Sequence, residues 1–199
     1  MSQSKVIKVK EQFEEALNLV EKAFDCEKRL PEQVFLVPWQ KKCVFDFDKA
    51  MGYSFWNELE RLVTLSGDSF ILMAVLDPHP VNYYYKEFSQ YNWCIFPKGI
   101  TANEYWNTIK WSPEDSPADA IVHNSEVVVW LSPTMKWAIW GERNCGICIL
   151  GLSDETSSFT SESCLSIETA ITDLVSLNFG NSIPDEMKSK FMSHYNDMN

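Results

Sequence analysis

Three short apolar segments follow one another between residues 126 and 151, too closely spaced for anything but antiparallel hairpins. They are Glu126–Leu131, Lys136–Gly141 and Cys145–Gly151, joined by Ser132-Pro133-Thr134 and Glu142-Arg143-Asn144. A parallel neighbour needs a crossover of roughly a dozen residues, which these links cannot supply. The segments therefore predict an antiparallel meander. Alternation along its middle strand sends Trp137 and Ile139 to one face, Ala138 and Trp140 to the other.

Ser69–Leu76 is a nearly unbroken apolar run of strand length, as expected for a central strand buried on both sides. Asn92–Phe96 and Cys43-Val44-Phe45 read as further strands. Val34–Val37 reads as a short strand that Pro38 confines to an edge or a strand end. Helices are expected where apolar residues recur at spacings of three and four. Phe13, Leu17, Val20 and Phe24 mark one over Lys10–Phe24. Phe55, Leu59, Leu62 and Val63 mark a second, N-capped by Ser54 and stopped at Gly67. A third starts at the Thr101/Glu104 capping box and runs to Lys110. Ser166–Asn178 is amphipathic, and a last helix begins at Pro184 with Met187, Phe191 and Tyr195 on one stripe. Asp77–Pro80 reads as a turn or loop, Trp111–Ala118 as loop-like, and Asp154–Ser163 as a polar linker or helix lead-in; the Tyr83-Tyr84-Tyr85 triplet falls in a loop as well. Strands and helices do not alternate, so the expectation is one α+β domain over residues 1–199: an antiparallel sheet with a meander, flanked by N- and C-terminal helices.

Charge narrows the partners. With 17 basic and 28 acidic residues the net charge is -11. Phosphate backbones and anionic lipid repel such a chain, so neither nucleic acid nor a membrane is an expected partner. No run of about 18 apolar residues exists to span a bilayer. The acid excess is uneven: Trp111–Asp185 holds 11 acidic residues against Lys136 and Arg143 alone. A sector of that sign attracts a basic partner and speeds its encounter. The N-terminus has no apolar signal region, and six cysteines are scattered over a chain long enough to fold without staples. Reduced thiols in a cytoplasmic protein are therefore expected.

Catalytic signatures are weak. Cys145-Gly146-Ile147-Cys148 has a spacing that lets two sulfurs share a metal, but no second ligand pair at short spacing accompanies it. His79, His123 and His194 are the chain's imidazoles; His123, at a strand entrance, is the best placed for a general base. No nucleotide, hydrolase or zinc-protease motif is present. No catalytic residue, metal site or cofactor is assigned.

Aromatic content is the chain's oddity: Trp 8, Tyr 7 and Phe 12. Most of these rings must be core, but Trp111 and the tyrosine triplet lie in loops, where aromatics with a polar tip anchor partners. Trp111, Glu114, Asp115, Asp119, Trp140 and Glu142 are the residues expected to meet a partner. Trp137-Ala138-Ile139-Trp140-Gly141-Glu142-Arg143, with the apolar strand after it, resembles a strand–turn–strand of small bacterial proteins of the toxin-immunity type. The resemblance covers about 15 residues and implies a cytoplasmic acidic inhibitor of a toxin domain; it carries over no functional residue. A non-catalytic protein-binding domain is thus the leading expectation. A small-molecule-binding domain or enzyme with a Trp-lined pocket, using His123 or a cysteine, is the second.

Overall fold

The computed structural model describes residues 5–196. Among these, seven strands form one antiparallel sheet: β1 (Lys5–Val6), β2 (Lys41–Asp46), β3 (Phe70–Asp77), β4 (Trp93–Pro97), β5 (Val127–Leu131), β6 (Trp137–Glu142) and β7 (Ile147–Leu152). Their order across the sheet is β1-β4-β3-β5-β6-β7-β2. The α+β expectation and the β5-β6-β7 meander are both realised, with Val127 opposite Glu142 and Trp137 opposite Leu152. The first two strands sit at opposite edges. The helix Lys10–Ala23 carries the chain from one edge toward the other, across one face.

That face is also covered by the 167–178 and Asp185–Tyr195 helices, whose Ile167, Ile171, Val175, Phe191 and Tyr195 join Phe13 and Val20 against Leu72, Val129, Trp140 and Ile149. The opposite face carries the helices Trp56–Ser66 and Ala102–Ile109. Their Trp56, Leu59, Tyr105 and Ile109 pack on Met73, Trp130, Trp137 and Leu150. Antiparallel sheets often leave one face wet. This one is covered on both, which is why its inner strands read as continuous apolar runs rather than alternating ones.

Several local expectations are corrected. Val34–Val37 is not a strand: it makes a single bridge, Phe24 to Phe35; Val34, Phe35 and Val37 pack on the sheet face and Leu36 is exposed. Ser54 does not cap a helix; it lies inside a 3-10 turn, Tyr53–Phe55, that leads into the Trp56–Ser66 helix. Tyr83-Tyr84-Tyr85 are in a π-helical turn, Pro80–Tyr85, rather than irregular loop. Pro184 occupies the N-cap position of the last helix. The Thr101/Glu104 capping box forms as read, and Gly67 ends its helix in the left-handed conformation at φ +75°. Cys43 and Cys164 are disulfide-bonded, with Cα atoms 5.6 Å apart, so the expectation of six reduced thiols does not hold. Among the described residues no helix is long and apolar enough to cross a membrane.

Candidate functional site

β3 ends at Asp77 and β5 begins at Val127, and Glu126 donates its backbone N–H to the Asp77 carbonyl at 2.8 Å. The chain after β3 (residues 78–92) and the chain before β5 (residues 110–126) therefore emerge at one end of the sheet. Val122 closes the second loop onto the helix end by donating to the Ile109 carbonyl at 2.9 Å.

Asp119 ties the two loops together. Tyr83 Oη donates to its Oδ1 at 2.8 Å and Asn124 Nδ2 to the same oxygen at 2.6 Å, while Ser116 Oγ donates to Oδ2. Tyr84 Oη donates to the Asp119 backbone carbonyl at 2.9 Å. Burial pushes this carboxyl up, but the hydrogen bonds from Ser116, Tyr83 and Asn124 outweigh it and hold the group below the ordinary aspartate value. The same bond pushes the Tyr83 phenol up. His79 Nδ1 accepts the N–H groups of Val81 and Asn82, both at 3.1 Å, and so caps the π-helical turn.

Held this way, the loops present a group of exposed apolar side chains. Val81, Tyr83, Tyr85 and Trp111 are 40%, 38%, 38% and 45% exposed, whereas most large rings of the chain are buried. Trp111 borders an open cleft of about 550 Å³, lined also by Val6, Lys8, Gln90, Glu104 and Asn107. Glu87, Glu114 and Asp115 are exposed beside these rings in sequence. Neither Glu114 nor Asp115 is in an ion pair among the described residues.

Of the six residues expected to meet a partner, three are at the accessible surface of this end: Trp111, Glu114 and Asp115. Asp119 is 6% exposed and holds the loops instead of facing solvent. Trp140 is 0% exposed, its ring 5.5 Å from that of Phe24 beneath the N-terminal helix. Glu142 is buried too; its Oε2 accepts the Leu30 N–H at 2.9 Å and the Trp140 Nε1–H at 3.2 Å. Burial pushes its carboxyl up despite both bonds. Strand alternation gave the correct faces for Trp137 and Trp140, but both faces are roofed by helices. The tyrosine triplet, noted as loop aromatics, supplies two of the exposed rings and one buried one.

The acidic sector is divided by the fold. Glu114, Asp115 and Asp119 lie at the end where Glu142 pairs with Val127. Asp154 and Glu155 lie at the other end, where Lys136 Nζ is 2.7 Å from Glu155. Arg143 donates to the carbonyls of Ser125 and Val122 at 2.9 and 3.1 Å, and its guanidinium lies 4.8 Å from the Phe47 ring centre. It braces the loop before β5.

The cysteine pair does not converge. Cys145 belongs to the core on one sheet face and Cys148 to the core on the other. Burial pushes the Cys145 thiol up to about 12, and pushes Cys148 up as well, so both are protonated at neutral pH. Among the described residues no group of three or more His, Cys, Asp or Glu is placed to hold a metal ion. His123 is exposed, on the turn before β5, and its ring makes no hydrogen bond among the described residues. His194 Nδ1 is bonded to the Pro31 carbonyl at 2.8 Å. Compared with known family models, curated proteins and solved structures, the chain has no match, and the chemistry of this end of the sheet rests on its own geometry.

Proposed function

We propose that the chain is a non-catalytic protein-binding domain that recognises a basic partner through the end of the sheet built by residues 78–92 and 110–126, in the manner of an acidic immunity- or antitoxin-type inhibitor. The observation that carries this reading is the exposure of Val81, Tyr83, Tyr85 and Trp111 on loops that Asp119 fixes from beneath. Exposed aromatics on a pre-formed support make good anchors, because little side-chain or loop freedom is lost on binding. Glu87, Glu114 and Asp115 outnumber the exposed Lys86 and Lys110 beside the rings, which leaves net negative charge there to steer a cationic surface inward. Trp140 and Glu142 have no part in the contact; they support the sheet behind it.

Capture from the host lysate tests this, run in parallel with the wild-type chain and a Trp111→Ala/Glu114→Lys/Asp115→Asn variant. Asparagine is chosen at position 115 because Asp115 has φ +60°, a conformation that Asn tolerates and Lys does not favour. A stoichiometric basic protein that leaves the wild type in a salt step and is missing from the variant supports the reading. The same protein retained equally by both contradicts it.

A further inference from the structure

Away from the aromatic end, residues 157–166 form a strap over the edge strand β2 and the Trp56–Ser66 helix. β2 is paired with β7 on its inner side. On its outer side Leu165 makes one antiparallel bridge: Val44 donates to the Leu165 carbonyl at 2.9 Å and Leu165 to the Val44 carbonyl at 2.8 Å. The remaining ties are the buried ring of Phe159, packed in the core beneath the Trp56–Ser66 helix, and a few side-chain hydrogen bonds. Lys41 Nζ donates to the Phe159 carbonyl at 2.8 Å, Arg61 donates to the Thr160 carbonyl, and Ser161 Oγ donates to Glu58 at 2.9 Å. The Cys43–Cys164 bond is the covalent link among them, and it joins residues 121 positions apart.

The six cysteines divide sharply by environment. Cys94, Cys145 and Cys148 are buried in the two cores, and burial pushes the half-exposed Cys26 up to about 11. Cys164 is half-exposed and Cys43 is buried behind it. Beside the strap, between the end of β2 and the start of the Trp56–Ser66 helix, lies an open cleft of about 210 Å³ to which the strap contributes Ser163, next to Cys164.

We infer that the Cys43–Cys164 disulfide is a redox latch that pins the strap against β2. A dithiol reductant opens it by attack of its thiolate on Cys164 Sγ, Cys164 being the more exposed of the two residues. That step forms a mixed disulfide and expels Cys43 as a thiolate, which takes up a proton. The second thiol of the reductant then closes on the first, releases Cys164 as a thiol and leaves the reductant as a cyclic disulfide; two electrons have passed to the protein. Once the link is cut, the strap must be held by its hydrogen bonds and by the packing of Phe159 and Leu165, without the covalent constraint. The outer edge of β2 then loses its guard, Leu165.

Thiol counting and hydrogen exchange test the latch on the full chain. Protein equilibrated with oxidised glutathione and alkylated under denaturing conditions takes up label at four cysteines, and at six after reduction. Six labels before reduction would overturn the proposal. Peptides containing Val44 and residues 157–166 are expected to exchange at least tenfold faster in the reduced protein, with residues 78–92 unchanged. Cys164→Ser without reductant is expected to match the reduced wild type. If the strap exchanges at the same rate in both redox states, the bond is a staple and not a latch. Should the variant fail to fold, the comparison of oxidised and reduced wild type decides alone.

Discussion

The Tyr83 hydroxyl donates to the Asp119 carboxylate at 2.8 Å across 36 residues of chain, and this bond joins the two loops that carry the exposed aromatics. It makes the shape of the proposed contact surface depend on a buried acid that itself touches no partner. Tyr83→Phe deletes one of three side-chain donors to Asp119 and should cost about 0.5–1.5 kcal/mol. Asp119→Ala strands all three and should cost about 2–4 kcal/mol, a sum of unmade bonds at about 1–3 kcal/mol each with partial recovery by water. Urea unfolding of the two variants checks the ranking.

The same group sets a pH dependence. Its folded-state value is held below that of an unfolded aspartate, so its stabilisation is present above roughly pH 4 and is lost as pH falls through the lowered folded value. Asp119→Asn should remove that part of the acid sensitivity. The check is the difference in unfolding free energy between wild type and variant, which should shrink between pH 5 and pH 2.

Glu142 behaves oppositely. Burial raises its folded value, so its contribution is most favourable below the unfolded value, roughly pH 4, and is lost as pH rises through the folded one. Glu142→Gln keeps an oxygen to accept from Leu30 and Trp140 while removing the buried charge. This variant should equal or exceed wild-type stability at pH 7, with the advantage vanishing toward pH 4. Glu142→Ala leaves two buried N–H groups unpaired and should cost about 2–5 kcal/mol. Thermal melts across that range distinguish the three proteins.

Two tryptophans separate support from contact. Trp140→Ala opens a cavity in the core and should cost about 3–5 kcal/mol of stability. Trp111→Ala should change stability by no more than about 0.5 kcal/mol yet weaken partner binding tenfold or more, about 1.4 kcal/mol. Chemical denaturation read beside binding titration checks both.

Six of the seven strands were legible in the sequence because burial writes them as apolar runs, and the short links fix the antiparallel directions of β5, β6 and β7; the two-residue edge strand Lys5–Val6 carries no such signal. Burial on both faces hid which tryptophan was accessible. Period-two alternation separates Trp137 from Trp140 but says nothing about helices that arrive from positions 10–23, 56–66, 102–109 and 167–195. Val34–Val37 does not form a strand because Val34, Phe35 and Val37 bury themselves on the sheet face as well as they would in a ladder. Asp119 reads in sequence as a partner-facing acid; its donors come from a turn 36 residues earlier and from Ser116 and Asn124 nearby, and the sequence gives no local sign of them. Cys43 and Cys164, 121 residues apart, carry no local signal of their meeting.

The most direct test of the central claim is the association rate of the captured partner, measured by stopped flow at increasing salt for the wild type and for Glu114→Lys/Asp115→Asn. Steering by an acidic rim predicts a wild-type rate that falls steeply with salt, and a variant about tenfold slower at low salt with a flatter dependence. Equal rates and equal salt slopes for the two proteins would contradict recognition through this end of the sheet.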